Sequence, residues 1–490
     1  MELIVRILDW DAGVPVAMVN DKTAEKLGIH IRDRIVIKTS SNKISTIVDI
    51  VGTLIKENEI AISSEIKEIL GLKRKQKVDV DFAPSPESLN YIKKKLNNHS
   101  LSEKEINEII KDVVNNSLSE AEIALFISAM YKYGMSTKET VYLIKAILGT
   151  GSILNLNYKL IADKHSIGGI AGNRTTPIVV SICAAAGLIM PKTSSRAITS
   201  AAGTADVIET IADVDFSIKQ LESIVRKTGA CMVWGGSLGV VPADDKLIQV
   251  EKMLKIDPES QLLASIMSKK LAVRSNYILI DIPYGKSAKV DKKKALHLKN
   301  KFETLAKYFH KTLKGVLTDG SQPIGNGIGP MLEIIDVIKV LKCEKDAPKD
   351  LENKSLFLSG QLFEMTGKAK NGEGIELAKK ILYSGKAFKK FQQIIKAQNG
   401  NLRRIKLAKL KKDIFSNKTG KVLEIDNRKI SSLARTTGCP AEKTAGLYLY
   451  VHVGDKVKKG DKILTIYSQS KSRLKEAIKS YQKQKPVNIQ

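Results

Sequence analysis

From residue 160 onward the sequence alternates short apolar runs with glycine-containing loops and helical segments, the runs lying at 160–165, 192–196, 231–233 and 277–282. Strands that return through a helix pair in parallel, because a tight hairpin reverses the chain whereas a crossover brings it back to the same end of the sheet. The pattern therefore predicts an α/β domain over residues 159–342 with a central mixed sheet, mostly parallel, and puts its ligand site at the carboxyl ends of the strands.

The 490 residues leave room for more. At roughly 100–200 residues per domain, the chain holds about three to four domains, a multidomain α/β protein. Within residues 1–84, the runs 16–19, 27–29 and 35–37 recur as 60–62, 70–72 and 78–80, each copy reading as strand, short helix, glycine turn and strand. Two such copies can interleave into a small closed barrel, which resembles a half-repeated double-psi barrel. Pro84 and Pro86 end that unit, since proline drives the preceding residue out of helix. Capping boxes Ser102 to Glu105, Ser119 to Glu122 and Ser136 to Glu139 open apolar runs at helical spacing. They predict a helical domain over 87–158, joined by part of 175–190. Residues 345–490 read as a smaller C-terminal α+β domain, with strand-like alternation around Gly454 and Gly460.

Composition excludes several classes. Hydrophobic residues at 43% and charged residues at 27% are globular values. The longest apolar stretch, 178–190, is interrupted by Ser181 and is shorter than the ~18–20 residues of a membrane span. Acidic residues by Asp11 argue against a secretory leader, so a cytoplasmic protein without a membrane partner is expected. Cys183, Cys231, Cys343 and Cys439 fit neither a disulfide framework nor metal-ligand spacing, and reduced thiols without metal are expected. The net charge of +28 is spread along the chain, and aromatic residues are only 5%. That favours a lysine-rich solvated surface over a nucleic-acid groove, which needs stacking aromatics among its cations.

Two segments carry chemistry. The first runs Asp163-Lys164-His165-Ser166-Ile167-Gly168-Gly169 to Arg174-Thr175-Thr176-Pro177, strand to glycine loop to helix. Glycines admit backbone amides close to an oxyanion and the helix start favours negative charge, with Thr176 read as the cap. It lacks the lysine of a Walker loop and the spacing of a dinucleotide fingerprint. The second segment, 194–209, offers Ser194, Ser195, Thr199, Ser200 and Thr204 with Arg196, a set of donors suited to phosphate oxygens. Thr204 and Ser200 serve equally well as helix caps.

Lys164-His165-Ser166-x-Gly-Gly, together with Ser195-Arg196 and Gly203-Thr204-x-Asp206-x-x-Glu209, resembles the signature of the thymidine phosphorylase family. The later blocks 264–270 and 318–323 follow in the same order, and the likeness extends over about residues 87–470. The barrel in front is similar to that of the archaeal AMP phosphorylase branch. This resemblance implies a pentosyltransferase that needs no cofactor and cleaves AMP with inorganic phosphate to adenine and ribose 1,5-bisphosphate, CMP and UMP being further candidate substrates. It implies a homodimer through the helical, dimer-forming domain 87–158, or a larger homo-oligomer. It also implies that Lys164, Ser166, Thr176, Ser194 and Thr204 hold phosphate, and that Asp257 donates a proton with His165 near the reacting centre. Gly169, Ser195, Arg196, Ala197, Ile198, Thr199, Ser200, Thr204, Ser265, Lys269 and Lys289 would contact AMP. An extra residue near Ala171 leaves Thr175 and Thr176 as alternatives, and Val250 stands where pyrimidine-specific members carry an arginine.

Asp257-Pro258-Glu259 is also a helix start, and capping stabilises a carboxylate whereas acid catalysis needs its pKa raised. Ser265 and Lys269, four apart, would share a helix face. Competing readings are a pyrimidine or thymidine nucleoside phosphorylase, an anthranilate phosphoribosyltransferase, whose Gly-Thr-Gly-Gly-Asp loop is missing here, and a non-catalytic nucleic-acid-binding protein with its basic tail at 471–485.

Overall fold

The computed structural model describes residues 1–490 apart from Val14, Ile198, Thr199, Ser237 and Leu238. Two compact units result, Met1–Thr150 with Pro242–Ser265, and Gly151–Val241 with Ile266–Gln490.

In the first unit, six strands close into a barrel in the order Glu2–Ile7, Glu59–Ile62, Val16–Asn20, Lys43–Val51, Arg34–Lys38, Lys77–Phe82. Alternation in Glu2–Ile7 turns Leu3, Val5 and Ile7 inward, where they meet Val19, Ile35, Ile37, Ile60, Ile62, Val78 and Val80. Closure leaves no edge strand. The internal repeat is visible in the short helices Asp21–Leu27 and Ser64–Leu70, which end at Gly28 and Gly71 with φ of 65° and 64°.

Helices Ser88–Leu96, Glu103–Val114, Glu120–Tyr133 and Thr137–Gly149 follow, and Ser102, Ser119 and Ser136 each close a complete capping box. Pro242–Leu254 packs against three of these helices. Lys246 on it donates to the carbonyls of Val113 (3.1 Å) and Val114 (2.8 Å) and to the Asn116 side chain, satisfying the end of Glu103–Val114, and burial pushes its ammonium down to about 8.

In the second unit, Ala162–Ser166, Tyr277–Tyr284 and Thr312–Asp319 form one sheet, while Met190–Ser194 pairs with Ala230–Trp234. Every pair is parallel, so the expected mixed sheet is corrected to a parallel one. Helices intervene between successive strands, Thr175–Ala185, Ile218–Thr228 and Lys292–Tyr308 among them, which enforces that direction. A second correction concerns 175–190, expected to join the helical layer. Thr175–Ala185 is apolar nearly all round, and Ile178, Val179, Val180 and Ile182 sit in the core with Leu279, Leu358, Phe363 and Phe391.

At the C-terminal end, Gly327–Ile328, Gly446–Leu449, Lys462–Ser468 and Leu410–Phe415 make an antiparallel sheet, and helices Asn427–Thr436 and Lys471–Gln484 pack together. Its core of Ile430, Leu433, Leu447, Leu464 and Ile466 includes Ala171 and Ala201, one from each chemistry-bearing segment.

Candidate active site

The loop leaving strand Ala162–Ser166 needs its glycines. Gly168, Gly169 and Gly172 have φ of 84°, 90° and 68°. A β-carbon on Gly169 would lie 2.6 Å from Cβ of Lys289, and one on Gly172 2.4 Å from the Ile324 carbonyl oxygen. Ser166 Oγ accepts a 3.4 Å bond from the Gly168 amide. The following helix begins at Thr175 with Arg174 in the cap position, which corrects the reading of Thr176 as cap. Lys164 Nζ donates to Thr175 Oγ1 at 2.7 Å, so the hydroxyl at the cradle lysine is that of Thr175, one residue before the buried Thr176.

Beneath this loop lies a set of buried charges. Asp163 accepts from Lys192 at 3.2 Å and from Lys270 at 2.6 Å. Asp281 accepts from Thr318 Oγ1 at 2.6 Å and lies 3.2 Å from Lys354 Nζ and 4.0 Å from Lys164 Nζ. Four ammonium groups thus share two carboxylates out of water, an arrangement that an incoming anion would complete. Burial pushes Lys164 down to about 7, with Asp281 opposing and Lys354, Lys192 and Arg174 adding repulsion. Burial also pushes Lys270 down to about 7. For Asp281, burial alone would raise the carboxyl pKa, but Lys354, Lys164 and the Thr318 hydroxyl together hold it below the usual range. Burial, then the charges of Lys192, Lys270, Lys269 and Lys164, hold His165 well below 6.5, so its ring is neutral at pH 7. Its Nδ1 has no hydrogen-bond partner among the described residues.

The second segment is braced by carboxylates. Asp206 Oδ2 accepts from the amides of Ala197 and Gly203 at 2.7 Å each. Gly203 caps the helix Thr204–Ile208, so neither Ser200 nor Thr204 is the cap. Arg196 forms a bidentate pair with Glu209 at 2.6 and 2.7 Å and stacks over Trp234 at 4.7 Å. Arg196, with Lys443 assisting, pulls Glu209 down to about 2. Ser194 is buried and donates to the Val233 carbonyl at 3.2 Å, Ser195 is exposed, and Ser200 donates to the Ala202 carbonyl at 3.0 Å. Ile198 and Thr199 lie outside the described residues.

Two residues missed by sequence reasoning brace the first segment, Arg174 against the second segment and Asn427 against the loops at Ser287 and Gly320. Arg174 donates to Thr204 Oγ1 and the Ala202 carbonyl, both at 2.8 Å, and to Glu333 at 2.7 Å. Buried Asn427 accepts from the Ala171 amide and donates to Ser287 Oγ and the Gly320 carbonyl, each at 3.1 Å. Gly169 and Ser200 line a cleft of about 660 Å³, and Lys289 lines a neighbouring one of about 450 Å³.

In the first unit, Asp257 is exposed just before helix Glu259–Ala272, whose first bond runs from the Leu262 amide to the Pro258 carbonyl. Ser265 Oγ donates to Asp244 at 3.0 Å and Val250 is buried. Lys269, on the same helix but counted with the second unit, is buried, unlike an ordinary surface helix lysine.

Residues 89–151 match the helical bundle domain of a glycosyl transferase family, residues 158–388 its a/b domain, and residues 421–488 the pyrimidine nucleoside phosphorylase C-terminal domain. The AMP phosphorylase of Pyrococcus horikoshii is 44% identical over 495 residues, covering 100% of this chain and 98% of the relative. Those of Methanocaldococcus jannaschii and Thermococcus kodakarensis are 42% and 41% identical, each over 100% of this chain and 97% and 98% of theirs. The crystal structure of anthranilate phosphoribosyltransferase from Thermus thermophilus is 17% identical with a TM-score of 0.52, covering 63% of this chain and 99% of that one, a likeness of fold alone.

Proposed function

The chain belongs to the AMP phosphorylase family, and from that premise we propose how its residues carry out phosphorolysis of AMP. The observation that carries the reading is the surplus of buried ammonium groups under the glycine loop, where Lys164, Lys192, Lys270 and Lys354 share Asp163 and Asp281. Inorganic phosphate supplies the missing negative charge. It is held by Lys164, Ser166, Thr175 or Thr176, Ser194 and Thr204. AMP is held by Gly169, the run 195–200, Thr204, Ser265, Lys269 and Lys289.

A phosphate oxygen attacks C1′ of AMP, the C1′–N9 bond breaks, and its electron pair passes to adenine while Asp257 delivers a proton to N7. Such a general acid contributes typically about 10²–10⁴-fold. Neutral His165 stands beside the reacting centre, where a second cation would repel the developing positive charge of the sugar. The products are adenine and ribose 1,5-bisphosphate. On the same reading the barrel is of the double-psi type, residues 345–490 form an α+β domain, the working species is a homodimer or larger homo-oligomer in the cytoplasm, and nucleic acid is not a specific partner. No helix among the described residues is long and apolar enough to cross a membrane.

The test is release of the free base from AMP, adenosine and thymidine, each with and without phosphate. Phosphate-dependent release from AMP with formation of ribose 1,5-bisphosphate is expected. Release that ignores phosphate would sink the proposal.

A further inference from the structure

Buried hydroxyls of the second unit commonly donate to nearby backbone carbonyls, Ser181 to Pro177 at 2.7 Å, Ser355 to Leu351 at 2.7 Å and Ser359 to Ser355 at 2.8 Å. Thr204, half-buried at the start of its helix, is reversed. Its Oγ1 accepts from Nη1 of Arg174 at 2.8 Å, and a guanidinium can only donate. The Thr204 hydrogen is therefore turned away from Arg174, and it goes to no acceptor among the described residues. Thr175 obeys the same rule, because its Oγ1 accepts from Lys164 Nζ at 2.7 Å. Arg174 and Thr175 are consecutive, so one stretch of backbone carries one hydroxyl of this kind and sets the direction of the other.

Arg174 itself is committed to the protein. Its Nε donates to Glu333 at 2.7 Å, Nη1 to Thr204 and Nη2 to the Ala202 carbonyl at 2.8 Å, and its side chain is only 11% exposed. Glu333, buried beside it, balances the charge and also accepts from the Gly329 amide at 3.0 Å. A guanidinium balanced in this way exerts little net pull on a substrate, so its influence passes through the hydroxyl it orients. We propose that Arg174 is a positioning residue for phosphorolysis: by occupying a lone pair of Thr204 Oγ1 it aims the Thr204 hydrogen at inorganic phosphate. The donor is then fixed in place before the anion arrives, and no reorientation is needed when it binds. This rests on the reading of the chain as an AMP phosphorylase in which Thr204 holds phosphate, and adds a residue which that reading does not contain.

The test is a double-mutant cycle. Arg174→Met is made together with Glu333→Gln, so that no buried carboxylate is stranded, and the pair is combined with Thr204→Val. A second pair, Arg174→Leu with Glu333→Met, gives the same comparison where the first fails to fold. KM for inorganic phosphate, KM for AMP and calorimetric affinity for sulfate are measured on each protein. Loss of a hydrogen bond to a charged group predicts a rise of roughly 10- to 100-fold in KM for phosphate, and in the dissociation constant of sulfate, for Thr204→Val. The Arg174 pair should raise both by about 10-fold when Thr204 is intact. In combination with Thr204→Val the same pair should add less than about twofold. A merely structural role would give one factor on both backgrounds, which would overturn the proposal. So would a phosphate KM in the Arg174 pair within about twofold of wild type, or an effect confined to the KM for AMP. Wild-type protein that releases no free base from AMP would overturn the parent reading instead, and the sulfate cycle would still decide the role of Arg174.

Discussion

The barrel and the parallel-sheet region handle charge in opposite ways. On the barrel, Lys38 pairs with Asp81 at 2.6 Å, Lys77 with Glu2 at 2.7 Å and Lys22 with Glu57 at 2.9 Å, every partner well exposed. In the sheet region Asp163, Lys164, Lys270 and Asp281 are at most 1% exposed. Exposed pairs contribute little because water and salt screen them, whereas buried ones carry a desolvation cost that a hydrophobic replacement would avoid. The net charge of +28 is therefore uninformative as a total, and the part that matters is the small fraction withdrawn from water.

The largest expected effect comes from Asp163→Asn, which strands the ammonium groups of Lys192 and Lys270. Removing one partner of a buried pair costs about 3–5 kcal/mol, so urea unfolding should show a loss of that order and AMP phosphorolysis should fall with it. A loss within error would erase the contrast between the two regions. Asp257→Asn tests an exposed carboxylate that breaks the rule of dispensability: kcat should fall about 10²- to 10⁴-fold with the unfolding midpoint unmoved, and retention of full activity would remove its role as acid.

Next in size is Asn427→Ala, which leaves the Ala171 amide and the Gly320 carbonyl without their partner. A destabilisation of about 1–3 kcal/mol and a raised KM for phosphate are expected, measured by denaturation and initial rates.

A pH series sharpens the comparison further. Lys164 and Lys270 have folded values near 7, below the ordinary lysine value of 10.5, so between those limits the unfolded chain binds more protons. Their contribution to stability therefore rises with pH from about 7 to 10.5 in the ligand-free protein. Sulfate, a dianion throughout that range, should bind more weakly as pH climbs through 7 because the ammonium groups discharge. Calorimetry showing sulfate affinity indifferent to pH would refute the assignment. The smallest effect belongs to Asp81→Asn on the barrel, for which thermal unfolding at moderate salt should show no resolvable change.

Features set by neighbours along the chain are legible in the order of residues alone. The three capping boxes each depend on residues three apart, and the barrel repeat on glycine turns that stop two equivalent helices. The glycine loop is equally plain from its run of glycines at 168, 169 and 172, although the atoms that crowd Gly169 and Gly172 belong to Lys289 and Ile324, distant in sequence. The buried charges are not, since Lys164 meets Asp281 and Lys354, and Asp163 meets Lys270, across long stretches of a lysine-rich sequence. One sign is available: Asp281 is the only charged residue in the otherwise apolar strand Tyr277–Tyr284. Thr175 and Thr176 cannot be ranked without the helix start, because a single residue of register decides which hydroxyl reaches Lys164.

The bond from the Ala171 amide to Asn427 joins positions 256 residues apart. At a synthesis rate of about 5–20 residues per second, the loop waits roughly 13–50 s on the ribosome before that clasp can close. A nascent chain therefore passes most of its time in translation with its glycine loop unclasped at Ala171, and only a nearly complete polypeptide can fasten it.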